Sequence, residues 1–199
     1  MDQTTTIIII GAVLIVLIVS GLLFSRRRRS ERLRADFGPE YDRAVSETGD
    51  KRKAEAELHE REKRVEKLDL RPLDPAERQK FDAEWASVQS RFVDDPDQSV
   101  HDADNLLQKV MSARGYPVKD FEQAAADISV DHPTVVHHYR TAHDIVVRHH
   151  RGDGDTEDLR NAMINYRELF DELVAEREDS DQKSETRIAK EDSKARERV

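Results

Sequence analysis

Cysteine is absent from this 199-residue chain, and glycine is scarce, with seven residues in all. Without a thiol the chain can form no disulfide, no thiolate nucleophile and no cysteine-ligated zinc or iron–sulfur site. The few glycines form neither of the phosphate-binding loops G-x-x-x-x-G-K-[ST] and G-x-G-x-x-G, nor the nucleophile elbow G-x-S-x-G. The sequence has no recognisable catalytic motif, and it predicts no catalytic residue, no metal ligand and no cofactor.

Charge is missing from one stretch near the N-terminus, although Asp, Glu, Lys and Arg make up 38% of the chain. Ile7 to Phe24, IIIIGAVLIVLIVSGLLF, holds 18 apolar or small residues. A helix of this length, at about 1.5 Å per residue, can cross a hydrocarbon core of about 30 Å. A cleaved signal peptide fits less well, because the start carries Asp2 instead of basic residues and no A-x-A-like site follows. The run predicts a transmembrane helix over residues 7–25 after a short extracytoplasmic N-terminus over 1–6.

Arginines follow the apolar run in a basic juxtamembrane segment, residues 26–36. Residues 26–34 have a net charge of +5, and basic residues that flank a span stay in the cytoplasm. The same charges favour contact with anionic lipid head groups, at roughly 1 kcal/mol per residue near the surface. We expect a single-pass protein of the cell membrane, with its N-terminus outside and its C-terminal domain in the cytoplasm. The residues predicted to set this topology and to contact lipid are Arg26, Arg27, Arg28, Arg29, Arg32 and Arg34.

The remainder of the chain is acidic. Of the total charge of −9, Asp2 contributes −1 and residues 26–34 contribute +5, which leaves −13 for residues 35–199. Because affinity for nucleic acid comes mainly from neutralised phosphates, we expect no nucleic-acid partner. The expected partners are the membrane and another protein.

Apolar spacing after the membrane segment is helical wherever it is clear, and no strand-like alternation of any length occurs. The predicted fold class is all-α. A charged helical stalk is expected over 37–70, a compact bundle of four to five helices over 71–176, and a disordered or frayed charged tail over 177–199. Heptad spacing covers only part of 51–70, which is too short for a convincing coiled coil.

Start and stop signals mark the helices of the bundle. Asp74, Pro75 and Glu77 form a capping-box pattern, and Asp95-Pro96 repeats the start signal. Further boundaries are predicted at Gly38-Pro39, Gly49-Asp50, Gly115, Asp120, Pro133 and Asp155 or Thr156.

Six of the eight histidines lie within 19 residues, from His132 to His150, HPTVVHHYRTAHDIVVRHH. A metal pair on one helix needs ligands at i and i+4, and no two of these histidines are three or four residues apart. At 100° per residue His143 and His150 fall on the apolar stripe with Tyr139. The favoured interpretation is a core helix with His143 at the core margin, and a pH-sensing role is the alternative.

Several segments resemble a family of uncharacterised bacterial proteins that carry an N-terminal apolar segment and a helical domain. They include FGPEYDRAVSETGD, AEAELHEREKR, RGYPVKDFEQAAADISVDHPTVVHHYRTAH and LRNAMINYRELFDEL. The resemblance runs from Phe37 to Leu173 and implies a single-pass membrane or secreted protein of bacterial origin, without implying an activity. The matching pattern after Asp131 marks the candidate site, which consists of His132, Tyr139, Arg140 and His143.

The sequence leaves two functions open. The favoured one is a non-enzymatic protein-interaction or scaffolding domain at the cytoplasmic membrane face. The alternative is a ligand- or metal-responsive sensor that uses the region from His132 to His143. An enzyme with a novel helical site is less favoured than either.

Overall fold

The computed structural model describes Ser20, Phe24 and residues 27–175. All regular secondary structure in this part of the chain is helical, which confirms the all-α fold class. Within the same residues, no helix has both the length and the apolar character that a membrane crossing requires. Four predictions concern residues that lie wholly or mostly outside the described part: the N-terminus over 1–6, the span over 7–25, Arg26 and the tail over 177–199.

The chain divides into two compact units, one ending at Glu60 and the other beginning at Arg61. The first unit contains α1 (the helical residues 27–37), α2 (Pro39–Thr48) and most of α3 (Lys51–Val65). Within it, α2 and α3 are joined by a hydrogen bond from the Tyr41 hydroxyl to Glu55, at 2.9 Å.

Glycine sets both turns of the first unit. Gly38 separates α1 from α2 with φ 48°, and Gly49 ends α2 with φ 63°, and both values are left-handed conformations that glycine adopts without strain. Asp50 then begins α3, because its carboxylate accepts the N–H of Arg52 at 2.7 Å. The turns predicted at Gly38-Pro39 and Gly49-Asp50 are confirmed.

α3 ends at Val65, although the charged pattern continues to Leu70. Leu68 and Leu70 leave the helix and pack against the core of the second unit. The chain then crosses the end of a bundle helix, where the N–H of Arg71 donates to the Arg114 carbonyl at 3.0 Å. The helical stalk predicted over 37–70 therefore extends five residues beyond the end of α3, because the burial of Leu68 and Leu70 favours a loop there.

The second unit contains five full helices after the end of α3, within the range described. They are α4 (Pro75–Arg91), α5 (Pro96–Ala113), α6 (Phe121–Asp131), α7 (Val136–His150) and α8 (Thr156–Ala175). Helix α8 packs against α4, α5 and α7, and α6 packs on α7. This arrangement agrees with the predicted bundle of four to five helices.

Aromatic and aliphatic side chains fill the centre of the second unit. The rings of Trp85 on α4 and Phe170 on α8 stack with centroids 4.7 Å apart. Leu107 on α5 and Leu169 on α8 have no exposed surface. Burial of such side chains stabilises a fold by roughly 1.5–3 kcal/mol each, so α8 is held by the helices on both sides of it.

Local signals in the sequence explain where these helices begin. Asp74 and Glu77 form the predicted capping box, with the Glu77 N–H donating to Asp74 at 2.8 Å. Asp95, Asp120 and Asp155 each accept a backbone N–H three residues later, at 3.1, 2.9 and 2.9 Å. Helix α7 differs, because it begins at Val136 without a side-chain cap and a turn occupies the three residues after His132.

Gly115 ends α5 in a Schellman motif. The N–H of Tyr116 donates to the Met111 carbonyl and that of Gly115 donates to Ser112, both at 3.0 Å. Gly115 has φ 98°, and a Cβ atom there would lie 2.4 Å from the carbonyl oxygen of Asp69. The predicted stop is confirmed, and it also allows the segment before α4 to pass close to the helix end.

Candidate functional site

His132 lies directly after α6. Its N–H donates to the Ile128 carbonyl at 2.8 Å, and its Nδ1 lies 3.3 Å from a carboxylate oxygen of Glu172 on α8. The side chain has no exposed surface. His132 therefore connects the end of α6 to α8 inside the bundle.

Tyr139, Arg140 and His143 lie on α7 against the first turn of α6. The ring of Phe121 stacks on His143 with centroids 3.6 Å apart, and the centroid of Tyr139 lies 4.8 Å from that of Phe121. Arg140 donates to the Glu122 carboxylate at 2.7 Å. We call these five residues the Phe121 cluster, and it contains three of the four candidate site residues.

His132 does not belong to the Phe121 cluster, because the length of α6 separates them. Phe121 is the first residue of α6 and His132 follows the last. Eleven residues at about 1.5 Å each give roughly 16 Å. One small ligand could not contact both His132 and His143.

The side chains of the Phe121 cluster that could bind a ligand are already engaged in contacts between α6 and α7. Tyr139 is buried, with 1% of its surface exposed, and the Arg140 side chain is 9% exposed. The guanidinium is matched by Glu122, and the imidazole of His143 is covered by Phe121. The cluster is an aromatic stack with an ion pair at its edge, which is the chemistry of helix packing.

Two buried tyrosines adjoin the cluster. The rings of Tyr139 and Tyr166 have centroids 6.2 Å apart. Burial, and to a lesser degree the Asp104 carboxylate, raises the pKa of both hydroxyls far above the ordinary tyrosine value. Both side chains therefore stay protonated at physiological pH, and neither is suited to accept a proton as a general base.

The other histidines of α7 make separate contacts. His138 Nδ1 lies 2.7 Å from Asn165 on α8, and His149 Nε2 lies 2.8 Å from Asp97 on α5. His150 is exposed at the end of α7, although the helical angle predicted it on the apolar stripe. Among the described residues, no three side chains of the metal-binding types come together as a possible metal site.

A buried ion pair that the sequence did not indicate lies at the end of α3. Asp127 on α6 has no exposed surface, and its Oδ1 accepts from Arg64 Nε at 2.7 Å and NH2 at 2.6 Å. Gln123 donates to the same carboxylate at 2.9 and 3.0 Å, and Arg61 contacts Ser129 at 3.5 Å. No local spacing relates residues 63 positions apart, so this contact required the tertiary structure.

The described juxtamembrane arginines differ in their partners. Arg32 pairs with Asp36 at 3.1 Å, and Arg34 pairs with Asp42 at 3.2 Å. The guanidinium of Arg28 lies 4.8 Å from the centroid of the exposed Phe24 ring. All the described arginines of this block are exposed.

A groove of about 910 Å³ lies between α4 and α5. Its apolar lining consists of Val88, Leu106, Ala113 and Val118, which are buried or half-buried, and its other lining residues are polar or charged. Two ion pairs form its rim, Glu84 with Lys109 at 3.5 Å and Arg91 with Asp102 at 2.9 Å.

The rim pairs follow from the antiparallel packing of two helices. Arg91 lies seven residues after Glu84 on α4, and Asp102 lies seven residues before Lys109 on α5. Seven residues are close to two helical turns, so each helix presents its two charged residues on one face. The i, i+7 charges were visible in the sequence, but the pairing of α4 with α5 was not.

No family model, no curated protein and no solved structure matches this chain. The geometry of the described residues is therefore the basis for the function proposed below.

Proposed function

We propose that this chain is a membrane-tethered, non-enzymatic interaction protein whose helical domain holds another protein at the cytoplasmic face of the cell membrane. The observation that carries this proposal is the groove between α4 and α5. Its buried and half-buried apolar side chains are bordered by polar and charged ones, and an apolar centre with a polar rim is the usual anatomy of a protein–protein interface. The partner that fits is a segment with large apolar side chains between charged residues of both signs, because the rim carries both signs.

The membrane part of the proposal rests on the sequence. The apolar run from Ile7 to Phe24 is long enough to span a bilayer, and the arginines that follow favour a cytoplasmic C-terminal domain. These arginines also favour contact with anionic lipid head groups. Tethering raises the local concentration of the domain near other membrane proteins, which suits a scaffolding role.

A reversal of charge in the rim tests the docking surface. We would place a photo-cross-linking amino acid at Asn105 in the groove of the full chain in its native membranes, and at Asn161 on α8 as a control position. The expected result is one adduct of fixed mass from position 105 that is absent at 161.

The charge-reversal variant combines Arg91→Asp with Asp102→Arg. It keeps the local ion pair and the net charge, but presents the opposite electrostatic field to a partner.

The reversed pair should reduce the adduct at least about tenfold, since like charges brought together across an interface cost several kcal/mol. The matched control is Glu157→Arg with Arg160→Glu, which reverses an exposed ion pair on α8. Helicity and melting temperature should be unchanged in both variants. Equal adduct yields in the two reversed variants would reject the groove as the docking surface.

The sensor alternative has less support, because Arg140 and His143 already contact Glu122 and Phe121. A thermal-shift panel of metal ions and common metabolites on the full chain tests it. A ligand that binds only the folded state raises the melting temperature. A shift of several degrees that is lost in His143→Ala would support the sensor over the interaction protein.

A further inference from the structure

The five described juxtamembrane arginines are not equivalent, because they differ in their partners within the described structure. The sequence alone gives one block with a net charge of +5 over residues 26–34. Within α1, however, Arg32 pairs with Asp36, and Arg34 reaches across Gly38 to Asp42 on α2. Both arginines are therefore partly neutralised within the chain.

In the described part of α1, the positive charge is concentrated at residues 27–29. Residues 31–36 contain two arginines and two carboxylates, Glu31 and Asp36, so their net charge is zero. Residues 27–29 contain three arginines and no carboxylate. None of these three arginines forms an ion pair with a carboxylate of the described residues, and all three are exposed.

The opposite side of α1 is occupied by packing. Leu33 and Phe37, four residues apart on one helical face, are buried with 3% and 1% of their surface exposed. This packing fixes which face of α1 remains open. Arg28 lies nine residues before Phe37, which is roughly 180° around the helix at 100° per residue.

We propose that Arg27, Arg28 and Arg29 form the anionic-lipid contact of this protein, whereas Arg32 is paired within α1 and Arg34 is paired with α2. The proposal rests on the membrane anchor proposed above and names the lipid-binding residues within it. The ligand is the phosphate of an anionic head group such as that of phosphatidylglycerol. Guanidinium groups suit this phosphate because they donate in a planar, bidentate geometry. Asp36 and Asp42 would repel the same phosphate from the second half of the block.

The experiment uses the full chain with Ala35→Cys, an exposed position that can carry a single fluorophore because the chain has no other cysteine. The labelled protein is reconstituted in phosphatidylcholine nanodiscs that contain increasing fractions of an acceptor-labelled phosphatidylglycerol. Energy transfer then reports the enrichment of the anionic lipid beside α1. Two variants with equal charge removal are compared, Arg28→Gln with Arg29→Gln and Arg32→Gln with Arg34→Gln.

We expect the first pair to weaken lipid enrichment by about 25-fold, because each arginine near an anionic surface contributes about 1 kcal/mol, which is roughly fivefold. The second pair should change it less than about threefold, because Asp36 and Asp42, 3.1 and 3.2 Å from these arginines, repel the same head groups. Inorganic phosphate added to discs of pure phosphatidylcholine should give no signal change, since the contact needs a lipid surface.

Equal losses in the two double variants, or no loss in either, would overturn the proposal. Failure of the chain to co-elute with the discs would overturn the membrane anchor and this proposal with it. The partner-docking experiment concerns α4 and α5 and uses different variants. Its failure leaves the lipid result valid, so the two outcomes can be separated.

Discussion

At the scale of single residues, Asp127 is the most deeply buried charged side chain among the described residues. It is fully buried, and it holds Arg64 at 2.6 Å. Removing one partner of a buried ion pair leaves the other without compensation, which costs about 3–5 kcal/mol. Since the Arg64 side chain is 39% exposed and can reach water, we expect the lower end of this range.

Asp127→Ala should therefore reduce the free energy of unfolding by about 3 kcal/mol, measured by urea denaturation of the full chain in detergent. Asp82→Ala on the exposed face of α4 is the matched control, with an expected change within about 0.5 kcal/mol. If the two variants lose the same stability, the buried pair does not hold the end of α3 to α6.

Glu77 gives a prediction for pH. Two hydrogen bonds from Arg71, at 2.8 and 2.6 Å, and the N–H of Asp74 lower the pKa of Glu77 from its ordinary 4.5 to about 2. A carboxyl group with a lowered pKa stabilises the folded chain when it is ionised. This contribution is complete above pH 4.5 and is lost as the pH falls from 4.5 towards 2.

The variant Glu77→Gln should therefore be less stable than the parent at pH 7, and the difference should shrink steadily below pH 4.5. Unfolding free energies of both chains between pH 7 and pH 2.5 check this. Glu168→Gln, at an exposed position of α8, should show no comparable pH-dependent difference. If the difference in unfolding free energy between the parent and Glu77→Gln stays constant with pH, the capping geometry of Glu77 stabilises the fold and its charge does not.

At the scale of helices, Gly115 at the end of α5 is required for two reasons, its backbone conformation and the close approach of another segment. Gly115 has a left-handed φ of 98° and lies too close to Asp69 for any Cβ, whereas Gly152 after α7 has φ 86° and open space around it. The first position therefore combines backbone strain with a steric clash. The second has the strain alone.

Gly115→Ala should lower the free energy of unfolding more than Gly152→Ala does. A non-glycine residue in a left-handed conformation costs about 1–3 kcal/mol, and the clash adds to this only at position 115. Thermal or urea unfolding of the two variants measures the difference. Equal losses would show that the segment around Asp69 shifts freely away from the end of α5.

Helix ends were largely predictable from the sequence, because the signals that set them are local. The caps at Asp74, Asp95 and Asp120 and the stop at Gly115 involve residues within five positions of one another. The start of α7 was misplaced by three residues. A proline at Pro133 is compatible with a first helical turn, but here His132 and the residues after it form a turn between α6 and α7.

The candidate site was predictable only in part, because local spacing places residues on one helix but does not specify contacts between two helices. Periodicity placed Tyr139 on the buried stripe of α7 and His143 at its margin, where both are found. It could not show that Phe121 covers His143 or that Glu122 binds Arg140, because these contacts join two helices. The groove between α4 and α5 was missed because it exists only when those helices pair.

At the scale of the whole molecule, the sequence separates charge along the chain. The largest local excess of basic residues, +5, lies in residues 26–34, and residues 35–199 carry a net charge of −13. Positive flanks are retained in the cytoplasm during insertion, and the anionic inner leaflet attracts them. In the proposed topology, that leaflet repels the acidic domain, which leaves the groove accessible to a partner.

The proposed topology, with the N-terminus outside and the domain in the cytoplasm, can be tested directly because the chain has no cysteine. Gln3→Cys lies before the apolar run, and Ser90→Cys lies on an exposed turn of α4. If the N-terminus lies outside, a membrane-impermeant maleimide should label position 3 in intact cells whose outer envelope has been made permeable. It should label position 90 only after the inner membrane has been opened. The reverse pattern would place the domain outside and exclude a cytoplasmic partner. Labelling of position 90 in the soluble fraction of broken cells would remove the membrane anchor altogether.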